Sequence, residues 1–355
     1  MRYHDFRICV DRRSDGEYIA RVESSPVGEM PSSVSVTDPL QIIALRSKLA
    51  SNPSDTATKA LGTLLFETLF TGDVLLNFRE AADLVESQGG ILRIQLVIEP
   101  NELSALPWEL LYDPIWKHFL VLSSNTTLVR YMPTPRGQQQ LIPLTPPLHI
   151  LALFSSPIDA PPINIAHELH IMEKALQPLI ESGLVELSIL ENATVWGMVD
   201  ALRSREVHIL YYQGHIGFNS ETRASYLLLE DSAGGVFMKG MKELSYTLHR
   251  TNVRLAVINS YGMSAGTLAY NLVQYGIPGV VATQELLGDI ETINFLQGFS
   301  RALAIGLPVD VAVDRGRRAI YFGTPTHTPT QVFWASPILV VSQLDLALFS
   351  LKEQS

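Results

Sequence analysis

Two short stretches carry the residue types that can do chemistry. Gly214-His215-Ile216-Gly217 follows the apolar run Val207 to Gln213, and Asn259-Ser260-Tyr261-Gly262-Met263-Ser264 follows Val253 to Ile258. Imidazole, with a pKa of about 6.5, takes and returns a proton near neutrality, and glycine-rich backbone such as Gly214 and Gly262 can offer N–H donors to an oxyanion. A histidine facing a hydroxyl or thiol nucleophile is the arrangement for acyl transfer. If the two apolar runs are neighbouring strands, the segments that follow them face each other. The glycines read as a loop with unusual backbone angles. From spacing alone, His215 is open to two readings, a general base or a solvated, capping histidine.

Other chemistries find less support. The 355 residues hold one cysteine, Cys9, so neither an internal disulfide nor a thiolate metal cluster is expected. Cys9 lies in an alternating strand pattern, and a small apolar residue inside a core is its expected role. There is no Gly-x-x-x-x-Gly-Lys-Ser/Thr loop, no dinucleotide fingerprint and no His-Glu-x-x-His pair, so no cofactor and no metal is expected. His167 and His170, three apart, read as an exposed helix face. Asp159, before Pro161-Pro162, reads as a turn residue. Asp314, Arg315, Arg317 and Arg318 read as a solvated helix face.

Composition bounds the rest. Lys plus Arg is 26 against 36 for Asp plus Glu, a formal charge of −10, which argues against nucleic acid or anionic lipid as partner. Apolar residues at 46% indicate packed domains. The N-terminus lacks the apolar core of a signal peptide, and no run reaches about 18 apolar residues, so the expectation is a cytoplasmic protein without a membrane span.

The elements that must position His215 come from periodicity. Asp5 to Val10 and Glu17 to Glu23 alternate as a hairpin around Arg12 to Gly16, and helices are expected over 38–49, 54–70 and 74–86. A strand at 91–98, a short helix around Trp108, and short strands at 119–123 and 127–132 follow. Trp108 with Leu110, Leu111 and Tyr112 reads as a packing seam between the halves. Five prolines between Pro133 and Pro147 mark a linker, 133–147, after an N-terminal α+β half, 1–132. From 148 to 345, strands at 148–154, 184–190, 207–213, 253–259 and 279–282 alternate with helices at 163–182, 193–203, 264–276, 286–305 and 308–321. That is an α/β sandwich on a mostly parallel sheet, whose ligand crevice lies past the carboxyl ends of the strands. Gly323 to Pro329 is a polar loop able to cover the site, and 346–355 is a tail.

Several ordered blocks then resemble one family. Leu106-Pro107-Trp108-Glu109-Leu110-Leu111-Tyr112-Asp113-Pro114, Phe119 to Leu122 and Leu128-Val129-Arg130-Tyr131 look like the signature of bacterial CHAT domains, the caspase- and separase-like cysteine peptidases. His208 to His215, Gly276 to Gln284, Phe295, Gly306 to Asp310 with Ala312-Val313, and Trp334 with Pro337 resemble the remaining blocks in order, from about residue 1 to 342. The resemblance implies a caspase-like core preceded by a degenerate caspase-like half. It gives His215 the general-base position and Asp159 a place in a pocket for a basic side chain.

The resemblance fails at one position. Leu255-Ala256-Val257-Ile258-Asn259-Ser260-Tyr261-Gly262 matches the family's nucleophile strand, with Tyr261 where the cysteine belongs. A phenol with a pKa of about 10 stays protonated at neutral pH and is a poor substitute for a thiolate. The expectation is a pseudopeptidase that binds a protein partner, an active peptidase or a sensor chain, in a bacterial defence or cell-death system. The alternative is an endopeptidase using His215 with Ser260 or Ser264 to cleave a partner after a basic residue.

Overall fold

The structure, a computed structural model, describes residues 2–28, 33–36, 42, 44, 47, 54–134, 142–219, 221–222, 224–249, 251–261, 265–323, 332–343 and 349–351. The chain divides into two compact units, Met1–Tyr131 with Pro325–Ala335, and Met132–Thr324 with Ser336–Ser355.

In the first unit, β1 (Tyr3–Arg12) and β2 (Tyr18–Ser24) form the expected antiparallel hairpin, extended by β3 (Ser33–Ser35). β4 (Ile91–Ile98) runs parallel to β1, and β7 (Thr126–Tyr131) parallel to β4. Helix α1 (Asp55–Leu69) starts where Ser54 Oγ accepts the Ala57 N–H at 3.1 Å, and α2 (Gly72–Ser87) follows. Their inward faces carry Phe66 and Phe78, which pack with Phe70 and with Phe6 of β1 in a fully buried aromatic cluster. Of the helix expected over 38–49, only Ile42, Ala44 and Ser47 are described, all helical.

After α3 (Asn101–Ser104) the chain makes a 3-10 turn at Trp108–Leu110 and a small hairpin of β5 (Tyr112–Asp113) and β6 (His118–Phe119). The strand expected over 119–123 is not there. Beyond Phe119 the backbone closes a 3-10 turn, Leu120–Leu122, with Ser123 N–H donating to Leu120 at 3.2 Å, and the Thr126 hydroxyl bonds the same carbonyl. Trp108, fully buried, donates from Nε1 to the Leu103 carbonyl at 2.8 Å.

In the second unit the sheet runs β10-β9-β11-β14-β15-β16, built from β9 (Leu148–Phe154), β10 (Val185–Leu190), β11 (Ile209–Asn219), β14 (Leu255–Tyr261), β15 (Gly279–Thr283) and β16 (Pro337–Val341). The first five are mutually parallel, and β16 closes antiparallel to β15. Two elements break the alternation expected from sequence. A hairpin of β12 (Ala224–Glu230) and β13 (Val236–Gly240) continues antiparallel from the end of β11. Within the expected linker, β8 (Ile142–Leu144) pairs parallel with β17 (Phe349–Leu351).

Helices α4 (Ile165–Glu181), α5 (Val195–Ser204), α6 (Met241–Leu248), α7 (Ala265–Gln274), α8 (Asp289–Ala304) and α9 (Val309–Gly323) complete this unit. Leu151, Leu153, Leu210, Tyr212, Ala256 and Ile258 share a core on one side of the sheet with Leu268, Leu272 and Leu244. The charged run on α9 is not a solvated face. Arg317 is 0% exposed, donates to Asp314 Oδ1 at 2.5 Å, and sends Nε and a terminal nitrogen to the Pro337 carbonyl at 3.1 and 2.7 Å. Asp310, Asp314 and Arg317 fall on one helical stripe packed inward, and Arg315 alone of the three arginines is exposed. Among the described residues no single helix is long and apolar enough to cross a membrane. The polar loop expected at 323–329 lies outside the described residues from Thr324 on.

Candidate active site

His215 is a strand residue, not a loop residue. β11 runs on to Asn219 because β12 pairs with its second half, Ile216 opposite Leu227 through Asn219 opposite Ala224. Its first half is held by β14 in continuous parallel register: Gln213 with Asn259, Gly214 with Ser260, His215 with Tyr261. The two stretches singled out by residue type therefore form adjacent rungs of one ladder. Gly262 and Ser264 lie outside the described residues. Of Tyr261 only the backbone position is described, directly across from His215.

Gly214 has no unusual backbone angle, and its need for glycine comes from a close approach. A Cβ there would stand 2.4 Å from the hydroxyl of Tyr212. That hydroxyl lies 2.7 Å from the His215 carbonyl and 2.9 Å from the Leu228 carbonyl, tying β11 to β12 at the point where the imidazole leaves the strand. Burial pushes the Tyr212 phenol well above its ordinary pKa, so it serves as a fixed donor.

The imidazole is aimed from outside the ladder. Nε2 of His215 lies 2.7 Å from the carbonyl oxygen of Pro161. A carbonyl only accepts, so Nε2 carries the proton and Nδ1 is the basic nitrogen of the neutral ring. The segment that supplies this carbonyl is pinned at several points. Ser155 N–H donates to Gln213 at 3.0 Å and Ser155 Oγ to Leu228 at 2.8 Å. Ser156 N–H donates to Glu230 Oε1 at 2.9 Å, and Ile158 N–H to the Gly234 carbonyl at 2.9 Å. Asp159 Oδ1 accepts the Val236 N–H at 2.7 Å, so its structural role is to fasten this segment to the β12–β13 hairpin.

Pro161 was invisible to residue-type reasoning because its contribution is a backbone carbonyl. The signal was present all the same: Pro162 forces the preceding residue extended and brings no N–H of its own, leaving that carbonyl outside any helical ladder.

Two rungs below, on the same face as His215, sits a buried polar row. Tyr211 Oη donates to Gln213 Oε1 at 3.2 Å, and Thr283 Oγ1 to Asn259 Oδ1 at 3.2 Å. Gln213 Nε2 is buried without a partner. The Oγ of Ser260 is also buried and unpartnered, and Ser260 pairs with Gly214, one rung off His215. A Ser–His couple needs a hydroxyl-to-imidazole hydrogen bond, which Ser260 does not make.

The remaining sequence candidates lie elsewhere. Cys9 sits in β1 of the first unit, buried, its thiol pushed up to about 12, chiefly by burial and then by Glu23. At that value almost no thiolate forms near neutrality. His167 on α4 meets Asp289 Oδ2 at 2.9 Å, and His170 is exposed. Among the described residues no three His, Cys, Asp or Glu side chains converge to hold a metal ion.

A search of curated proteins finds no match. Among solved structures, the Saccharomyces cerevisiae separase–securin complex is similar at 11% identity and a TM-score of 0.52, covering 98% of this chain and 30% of that one. This chain thus spans about 30% of the length of the separase chain. The Arg-specific cysteine proteinase gingipain R of Porphyromonas gingivalis matches at 10% identity and a TM-score of 0.46, over 79% of this chain and 68% of that one. The Drosophila initiator caspase Dronc matches at 12% identity and a TM-score of 0.33, over 61% of this chain and 85% of that one. The fold is that of the caspase-like peptidases. The CHAT domain matches residues 57–342, which takes in every element around His215, and the chain belongs to the CHAT domain family.

Proposed function

We propose that this protein is a CHAT-domain pseudopeptidase, a caspase-like scaffold that binds a protein partner and does not cleave it. The observation that carries this reading is the register of β11 and β14, in which the strand position across from His215 belongs to a tyrosine. The sequence holds one thiol, and it is buried in the other unit with its pKa raised. Ser260 supports no rescue, because it is out of register with His215 and unbonded to it. The orienting apparatus is kept nonetheless: Nε2 held by Pro161, the His215 carbonyl held by Tyr212, and a glycine that admits the Tyr212 hydroxyl. A partner-holding role in a bacterial defence or cell-death system, with an active peptidase or sensor chain as partner, is the context that the family resemblance supplies.

The test is incubation of the purified protein with a fluorogenic peptide library, beside His215→Ala and Tyr261→Cys. The parent is expected to cleave nothing. Cleavage by the parent that disappears in His215→Ala would overturn the proposal and return Ser260 or Ser264 to consideration. Cleavage confined to Tyr261→Cys supports it directly, since the thiol alone would then be what the site lacks.

A further inference from the structure

We propose that β13 is the docking edge of this protein, and that it takes an extended segment of a partner protein, running parallel to β13 and acidic at its C-terminal end. This names the surface for the binding role proposed above and rests on that reading.

Among the described residues β13 pairs with β12 alone. Its outward groups follow from the ladder. Asp231 N–H bonds the Gly235 carbonyl at the hairpin turn, so Phe237 and Lys239 exchange their bonds with β12, while Val236, Met238 and Gly240 turn their backbone groups away from it. The Val236 N–H confirms the phase, because it points out to Asp159. The edge thus offers the Val236 carbonyl and both backbone groups of Met238. Met238 is 60% exposed, Phe237 45%, and Ile158, which bonds the turn at Gly234, 81%. An apolar, unpaired edge of this kind is a site for strand addition.

Asp159 selects the direction. A second copy meeting this edge about a two-fold axis pairs antiparallel, and an antiparallel ladder centred on Met238 needs the Val236 N–H that Asp159 already holds. A parallel strand bonds the Val236 carbonyl and the Met238 N–H through one residue, then the Met238 carbonyl through the residue two further on, and leaves the Val236 N–H to Asp159.

Charge sets the polarity. Asp159, Asp231 and Glu230 stand at the start of β13, whereas at its end Lys239 and Lys242, two of the seven lysines in a chain whose net charge is −10, outnumber the one carboxylate, Glu243. A parallel segment therefore finds carboxylates beside its first residues and a net positive end beside its last. The edge also touches the site: Asp159 is two residues from Pro161, whose carbonyl orients His215.

The probe is a short fluorescein-labelled peptide of alternating threonine and valine ending in a pair of glutamates, titrated against the full chain by fluorescence anisotropy. Three controls accompany it: the glutamates moved to the start, lysines in their place, and N-methyl groups on the valines. Saturable binding is expected, weakened about tenfold by N-methylation and about two- to fivefold by moving or reversing the charges. Met238→Pro, at a strand edge where proline removes only an outward N–H, is expected to match N-methylation. Lys239→Glu is expected to match charge reversal. No saturable binding, or binding indifferent to N-methylation and to both variants, would overturn the docking edge. Mass spectrometry of the same mixtures separates the two proposals, because a cleaved probe ends the pseudopeptidase reading whatever the edge does.

Discussion

Two buried polar clusters, one in each unit, make opposite use of the same kind of group. In the first unit Arg130 of β7 is 1% exposed and bonds Glu109 through two nitrogens at 3.0 and 2.6 Å, the Ser104 carbonyl at 2.5 Å and the Leu106 carbonyl at 3.0 Å. The two conspicuous blocks, Leu-Pro-Trp-Glu and Leu-Val-Arg-Tyr, are thus the two halves of one bidentate pair. In the second unit the row beneath His215 leaves Gln213 Nε2 unpartnered, and on the opposite face of the same strands Ser260 Oγ is unpartnered too. The saturated cluster is structural. The unsatisfied one lies where strands end and chemistry is expected.

The saturated cluster is where the comparison breaks most readily. Glu109→Ala leaves the Arg130 guanidinium buried without its counter-ion, and a loss of about 3–5 kcal/mol is expected, read as a lower urea midpoint. A loss under about 1 kcal/mol would mean that water reaches Arg130 and that the cluster does not anchor the unit. Next in size is Gly214→Ala, which drives a methyl to 2.4 Å from the Tyr212 hydroxyl. A cost of about 1–3 kcal/mol is expected. Combining it with Tyr212→Phe should recover part of that loss; no recovery would mean that the clash is not the cause.

How much of this was legible in the sequence follows from the kind of interaction involved. Alternating and helical patterns marked most strands and helices correctly, because burial of one face is written in residue type. The candidate site was read as a histidine and a strand end, since glycine, imidazole and hydroxyls are conspicuous. Three features were out of reach. Arg317 looked solvated because its partner at the far end, the Pro337 carbonyl, carries no side-chain signal. Gly214 looked like a turn glycine because the Tyr212 hydroxyl that demands it belongs to a neighbour two residues away on the same strand. The β12–β13 hairpin, which makes β11 one continuous strand instead of a strand and a loop, starts at Ala224, past a polar stretch whose residue types carry no signal for strand pairing.

A smaller effect sharpens the comparison at the opposite end of the same sheet. His208 is 2% exposed; its Nδ1 accepts the His149 N–H at 3.1 Å, and its Nε2 lies 3.3 Å from Glu206. Burial holds its pKa below the ordinary value; Glu206 opposes that, while His149 and Arg254 add to it. The folded state therefore favours neutral imidazole. Stability is full above the unfolded pKa of about 6.5 and falls as pH drops below it, because the unfolded chain then binds the extra proton. Glu206, whose pKa is lowered by His208 and Asn252 against its own desolvation, adds a second loss only in the carboxylate range. The thermal midpoint should fall between pH 7 and pH 5.5 in the parent and stay flatter in His208→Gln. Equal slopes would remove His208 as the cause.

The smallest effect has the opposite sign. Ser260→Ala deletes a buried hydroxyl that bonds nothing, in a space that already holds a Cβ. Removing an unsatisfied donor relieves its desolvation cost, so a change between zero and about 1 kcal/mol of added stability is expected, together with unaltered partner binding. The same substitution on a hydroxyl that does have a partner, Ser155 with its bond to the Leu228 carbonyl, is expected to cost about 1 kcal/mol. If Ser260→Ala instead destabilised as much as Ser155→Ala, the hydroxyl would be bonded in solution, and the reading of Ser260 as an unsatisfied group would fall. A gain leaves the register of Tyr261 against His215 as the feature that decides the chemistry of this site.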